Sequence, residues 1–258
     1  MNTIATKAKA LIAMSGGVDS SVAACLMQRQ GYDCMGATMR LYRNEDIGLG
    51  QFHTCCSQKD IDDAAAVAFE LDIPYEVLDF TMDFREAIIQ KFVRTYEAGG
   101  TPNPCIDCNR VMKFDKLLDF AEQHGLYYVV TGHYARIEQD EQTGRWLLKK
   151  GVDAGKDQSY MLALLSQEQL ARLVLPLGGT TKAEVRVLAA DLGLPVAEKP
   201  ESQDVCFIEG DYRAFLRARG VDDRPGTIVD CAGAVLGRHD GLANYTVGQR
   251  KGIGVAAP

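Results

Sequence analysis

A junction near the N-terminus constrains this chain more than any other feature. Ala10-Leu11-Ile12-Ala13-Met14 is a continuous apolar run, which reads as a buried strand. Ser15-Gly16-Gly17-Val18-Asp19-Ser20-Ser21 follows at once. Val22, Ala23, Leu26 and Met27 then mark one stripe of a helix from Asp19 to Gln30, closed by Gly31. A strand that turns through two glycines into a helix offers backbone N–H groups and the positive end of the helix dipole to an anion. Ser15, Ser20 and Ser21 add hydroxyl donors, and Asp19 is placed to cap the helix or to help hold Mg²⁺. The Gly-Lys-Ser/Thr ending of a Walker A loop is absent, and the spacing is not that of a dinucleotide fingerprint.

The pattern continues along the first 200 residues. Strand-like runs at Cys34–Tyr42, Tyr75–Phe80 and Tyr127–Gly132 alternate with helical stripes. The stripes are Ile61, Ala64, Ala65, Ala68 and Leu71; Met82 to Tyr96; and Phe114, Leu117, Leu118 and Ala121. Such alternation predicts an α/β fold, a mainly parallel sheet with helices on both faces. Ligands of such sheets bind beyond the carboxyl ends of the strands, which points to Ser15–Asp19, the segment after Met39, and Gly132-His133. Arg136–Glu138 and Trp146–Lys149 form a hairpin pattern around Gln142-Thr143-Gly144. Helical segments are expected at Gln167–Val174, Lys182–Leu192 and Asp211–Arg219. The character changes at about Pro200. Gly226–Val229, Ala234–Gly237 and Tyr245–Gln249 predict a smaller, strand-rich unit over 201–258, after a nucleotide-binding unit over 1–200.

Composition narrows the setting. No apolar stretch approaches the roughly 20 residues of a membrane span, and Met1–Lys7 lacks the apolar region of a secretory leader. The expected address is cytoplasmic, with no membrane partner. The eight cysteines are then read as thiols, ligands or reactive groups rather than structural disulfides. A net charge of −7 leaves any nucleic-acid contact to local basic clusters. Candidates are Arg110, Lys113 and Lys116; Lys149, Lys150 and Lys156; and Arg213, Arg217 and Arg219.

Among the cysteines, Cys105-Ile106-Asp107-Cys108 stands out, preceded by Thr101-Pro102-Asn103-Pro104. Two thiols so spaced can meet at one point, for a metal or for sulfur chemistry. Cys206 lies about a hundred residues on. Three thiols fall short of a four-thiolate zinc site but suffice for three irons of a cubane cluster, or for a nucleophile and a sulfur carrier. Cys25 and Cys34 read as core, Cys231 as a turn residue, and His53, Cys55 and Cys56 as a loop beside the site.

Ala13–Ser21 resembles the PP-loop of N-type ATP pyrophosphatases, in an adenine nucleotide α-hydrolase-like domain. Further segments narrow the resemblance: Thr101–Pro104 with Cys108-Asn109, Lys113-Phe114, Thr131–Ala135, Lys156–Tyr160, Cys206–Ile208 and Gly248–Gly252. Together they resemble the bacterial tRNA-specific 2-thiouridylase family nearly from end to end of this chain. The resemblance implies that Ala13, Met14, Ser15, Gly16, Gly17, Val18, Asp19 and Ser20 cradle ATP, with Met39 and Gly132 also on the nucleotide. It puts Cys108 on the nucleophile and Cys206 on the cysteine that receives a persulfide and later pairs with Cys108. It sets Asn103, Pro104 and Cys105 around the target base, and His133, Lys156, Asp157 and Gln158 on tRNA. The implied reaction adenylates O2 of uridine 34 and replaces that oxygen with sulfur, using ATP, Mg²⁺ and a protein sulfur donor, a cysteine desulfurase or relay protein.

Many members of that family have Asp where this chain has Cys105. The extra thiol raises a second route, a [4Fe–4S] cluster held by Cys105, Cys108 and Cys206, placed behind the persulfide route. The family's C-terminal β-barrel is expected to be absent. Competing functions are another PP-loop tRNA-thiolating enzyme of the 2-thiocytidine type, or a non-catalytic tRNA- or sulfur-binding module.

Overall fold

The computed structural model describes residues 7–43, 58–200, 205–208 and 210–255. Five parallel strands form its central sheet, in the order β3-β2-β1-β4-β7. They are β1 (Lys9–Ala13), β2 (Asp33–Arg40), β3 (Tyr75–Asp79), β4 (Tyr128–Val130) and β7 (Leu173–Val174). The apolar run of β1 is explained by its central place, since Ala10, Leu11 and Ile12 are wholly buried. Its side chains alternate between two cores. Ala10 and Ile12 pack with α1 (Val18–Arg29), α2 (Gln58–Glu70) and α6 (Lys182–Asp191), through Val22, Val67 and Val185. Leu11 packs on the other face with Phe114, Leu117, Leu118 and Ala121.

Between β3 and β4 run two long irregular helices. α3 covers 81–97 and is π-helical over Arg85–Ile89. α4 covers 104–123 and is π-helical over Asn109–Lys116. A third core lies beside them, where Phe84, Phe92, Phe207 and Phe215 meet in edge-to-face and tilted pairs. Each such pair contributes roughly 0.5–1.5 kcal/mol beyond its buried area.

β5 (Ala135–Gln139) and β6 (Trp146–Lys150) form the expected hairpin, with Arg136 opposite Lys149. After the short helices α5 (Gln167–Ala171) and α7 (Tyr212–Arg217) come β8 (Gly226–Val229) and β9 (Val235–His239), an antiparallel pair. No closed barrel is formed among the described residues.

Three expectations are corrected. The helix read over Gln167–Val174 ends at Ala171, because Leu173 and Val174 pair with Val129 and Val130 as the fifth strand. The run Tyr245–Gln249 is not a strand. The Gln249 N–H bonds the Thr246 carbonyl at 2.9 Å and Gly248 takes φ +84°, which makes it a turn. The segment before Phe114 is already helical from Pro104. Proline suits the first helical position, and the Asn103 side chain accepts the Ile106 N–H. His53, Cys55, Cys56 and Ser202–Asp204 lie outside the described residues.

Candidate active site

The loop 14–17 leaves the carboxyl end of β1, where the sheet order switches from β2 on one side to β4 on the other. Gly16 takes φ +68°, and a Cβ there would lie 2.1 Å from the Asp60 carbonyl oxygen on α2. Only glycine admits both that backbone and that contact. Gly17 caps α1 without a side-chain bond, so its first turn keeps its own polarity. The serines brace the loop from inside. Ser15 N–H donates to Ser20 Oγ at 3.1 Å, and Ser20 and Ser21 hydroxyls both donate to the Gly17 carbonyl. Gly132, after β4, closes against the loop, since a Cβ there would meet the Asp19 carbonyl carbon at 2.9 Å.

Asp19 does not cap its helix. Lys182 Nζ donates to both its carboxylate oxygens at 2.7 and 2.8 Å, and the Tyr134 hydroxyl donates at 2.7 Å. Tyr134 in turn receives the Gln158 side-chain oxygen on its own N–H at 3.1 Å. On the far side of the loop, Lys199 Nζ donates to the Gly16 carbonyl at 2.9 Å and to Asp60 at 2.7 Å, and pairs with Asp63. Burial alone would lower the Lys199 pKa, but bonds and charge from Asp60 and Asp63 outweigh it and raise the value.

Cys105 and Cys108 sit one helical turn apart at the start of α4, on neighbouring positions of one face. Burial pushes the Cys108 thiol up to about 11, while Lys113 pulls it down and Cys105 and Asp107 push it up. Asp107 is held by Lys91 at 2.7 Å. Cys108, Cys206 and Met39 pack against the same apolar cluster as Phe84 and Phe207, and the Tyr42 hydroxyl donates to the Cys206 carbonyl. Cys206 follows Lys199 by seven residues in the chain.

His133 is buried, with Nδ1 2.7 Å from the Thr131 hydroxyl and its ring beside Phe114. Burial and then the Lys113 charge hold it well below the usual imidazole value, so it stays neutral. Asp157 is an internal brace. Burial would raise its pKa, but bonds from Gly151 N–H and Ser159 lower it. Lys156 lies in the turn that its N–H closes on the Asp153 carbonyl. Cys25 and Cys34 are buried in the core, and Cys231 is exposed.

Residues 8–210 match the family described as tRNA methyl transferase HUP domain, and 213–257 match tRNA methyl transferase PRC-barrel domain. The tRNA-specific 2-thiouridylase MnmA of Heliobacterium modesticaldum is 53% identical over 253 residues, 97% of this chain and 66% of that protein. That of Moorella thermoacetica is 52% identical, covering 95% of this chain and 70% of its own length. The chain belongs to the tRNA-specific 2-thiouridylase family. It spans about two-thirds of the length of these relatives. A 4-thiouridine synthetase, solved with RNA and bound ATP, is 19% identical with TM-score 0.49, covering 77% of this chain and 44% of that one.

In this 2-thiouridylase family member, two parts of the site escape sequence reasoning. Lys182 and Lys199 belong to no motif in the sequence, yet they bond Asp19 of α1 and the Gly16 carbonyl from 163 and 183 residues away. The only local hint is that Lys182 opens a well-capped helix, with Thr181 and Glu184 in a capping box. The thiolate set for an iron–sulfur cluster does not converge. No three His, Cys, Asp or Glu side chains come together to hold a metal among the described residues, and Cys105, Cys108 and Cys206 therefore form no three-thiolate cradle in this arrangement. No helix among them is long and apolar enough to cross a membrane.

Proposed function

We propose that this chain is the ATP-dependent sulfurtransferase that converts wobble uridine 34 of tRNA to 2-thiouridine. The carrying observation is the identity of about half to 2-thiouridylases across almost all of its length. In this reading the loop 13–20, with Met39 and Gly132, holds ATP. Uridine O2 attacks the α-phosphorus, the bond to pyrophosphate breaks, and the departing charge rests on the loop's N–H groups and hydroxyls. Mg²⁺ carried by ATP neutralises phosphate charge. Asn103, Pro104 and Cys105 hold the base, and His133, Lys156, Asp157 and Gln158 border the tRNA.

A protein sulfur donor charges Cys206 as a persulfide. Its terminal sulfur attacks C2 of the adenylated base, the C2–O bond breaks and AMP leaves. The Cys108 thiolate then attacks the Cys206 sulfur, so the thiocarbonyl is released and the two cysteines end as a disulfide. An external thiol reductant resets the pair. The first sulfur step uses a strong nucleophile on a carbon that adenylation has activated, and the second is a thiolate–disulfide exchange with the thiocarbonyl sulfur as leaving group. Lys113 is the cation that favours the Cys108 anion against the cost of burial. The packing of Cys108 and Cys206 on one apolar cluster supports this division of roles. A cytoplasmic address fits a tRNA substrate, and residues 1–200 and 201–258 are read as its catalytic and accessory units.

The test mixes the protein with Mg·ATP, a persulfide donor and unmodified tRNA, then searches the digested nucleosides by mass. The expected product is 2-thiouridine with stoichiometric AMP and pyrophosphate. Cys108→Ser abolishes the product while Mg·ATP binding persists, because a hydroxyl does not replace a thiolate. Product from the Ser variant, or 2-thiocytidine in place of 2-thiouridine, overturns the reading.

A further inference from the structure

The geometry points to Lys199 as the positioning residue of the phosphate loop: it sets the Gly16–Gly17 peptide so that the loop is shaped for pyrophosphate before any nucleotide arrives. This rests on the reading of the loop as an ATP site.

The ammonium has three donors, and all three are used, on the Gly16 carbonyl, Asp60 and Asp63. Its side chain is 22% exposed and those of Asp60 and Asp63 are 13% and 25%, so the cluster is largely shielded from solvent. In a planar trans peptide the carbonyl and the following N–H point to opposite sides. Holding the Gly16 carbonyl on the α2 side therefore turns the Gly17 N–H away from α2. The bond matters because Gly16, at φ +68°, lies in a region where glycine has little intrinsic preference, and a peptide flip would aim a carbonyl dipole at the bound anion.

Charge adds a second reason. α2 brings Asp60 and Asp63 against the loop, with the Asp60 carbonyl in contact with Gly16. Two carboxylates there repel a polyphosphate unless a cation stands between them. Lys199 is that cation, and Lys182 plays the same part for Asp19 on the opposite side.

The test titrates Mg·pyrophosphate, Mg·ATP and AMP into the full chain and its variants by calorimetry, with thermal midpoints taken without ligand. Lys199→Met is expected to weaken Mg·pyrophosphate about tenfold or more, the loss of one charged hydrogen bond, and to leave AMP unchanged. Lys199→Arg, which keeps charge and donors, recovers at least half of that loss on a logarithmic scale. Should the Met variant not fold, Lys199→Gln takes its place and is expected to bind pyrophosphate more weakly than Lys199→Arg. A lysine that only supports the fold lowers the thermal midpoint and leaves the pyrophosphate-to-AMP ratio as in the wild type, which overturns the inference. Equal weakening of AMP and pyrophosphate overturns it too. Wild-type protein that binds no Mg·ATP fails the ATP-site reading itself, a result separate from either of these.

Discussion

The phosphate-loop corner and the thiol corner are built from different forces. The loop is held by directed polar contacts: serine hydroxyls on backbone, Lys199 joining the Asp60 and Asp63 carboxylates to the Gly16 carbonyl, and Lys182 paired with Asp19 of α1. The thiol corner is held by apolar packing of Phe84, Phe92, Phe207 and Phe215, with Cys108 at the end of a regular turn and a π-helical stretch beginning at Asn109. Directed contacts suit a site that must meet one fixed shape, the leaving pyrophosphate. Apolar packing sets volume but leaves orientation softer, and π-helical stretches recur at functional sites. That suits the proposed passage of sulfur between two cysteines and a base. Asn109, buried beside Cys108, has no partner for its side-chain oxygen among the described residues. Such an unmet acceptor is costly, in contrast to the serine hydroxyls of the loop, which are paired.

The contrast can be broken in several ways. The largest effect concerns pH. A thiol reacts as its anion, and a Cys108 pKa near 11 keeps it neutral at pH 7. Its alkylation rate, followed by peptide mass mapping, should rise about tenfold per pH unit, roughly a thousandfold from pH 7 to 10, where an ordinary thiol levels off near 8.5. A plateau below pH 9 would show that the thiol corner is polar after all. Phe207→Ala should cost about 3 kcal/mol in chemical denaturation and loosen the thiol corner, while Mg·ATP affinity stays within about twofold. If nucleotide affinity falls with it, the two corners are one mechanical unit.

Gly16→Ala should cost about 2 kcal/mol, from its backbone conformation and the Asp60 contact, and should abolish Mg·ATP binding while Cys108 alkylation is unchanged. Ser166→Ala removes the capping-box serine of α5, which touches neither the phosphate loop nor Cys108 through its own bonds. It should cost about 1 kcal/mol and alter neither nucleotide binding nor thiol reactivity.

Much of the sheet is legible along the chain because burial on two faces writes continuous apolar runs into β1 and β4, and the hairpin writes alternation around a Gly turn. Two-residue β7 carries no period of its own, and only its pairing with β4 makes it a strand. The helix under Cys105 and Cys108 was hidden by two prolines that read as rigid loop until Asn103 and Pro104 are seen as cap and first turn.

Local pattern thus determined the strand–turn–helix proposed to receive an anion, the two-faced sheet behind it and the cysteines proposed to carry the chemistry, because side-chain period and glycine freedom act within a few residues. The tertiary structure alone decided that Lys182 and Lys199 clasp the loop, that Lys91 neutralises Asp107, and that Cys108 and Cys206 share one apolar cluster. Those are meetings of residues far apart in the chain, and a charge or thiol gains its meaning only from the burial and partners that folding supplies.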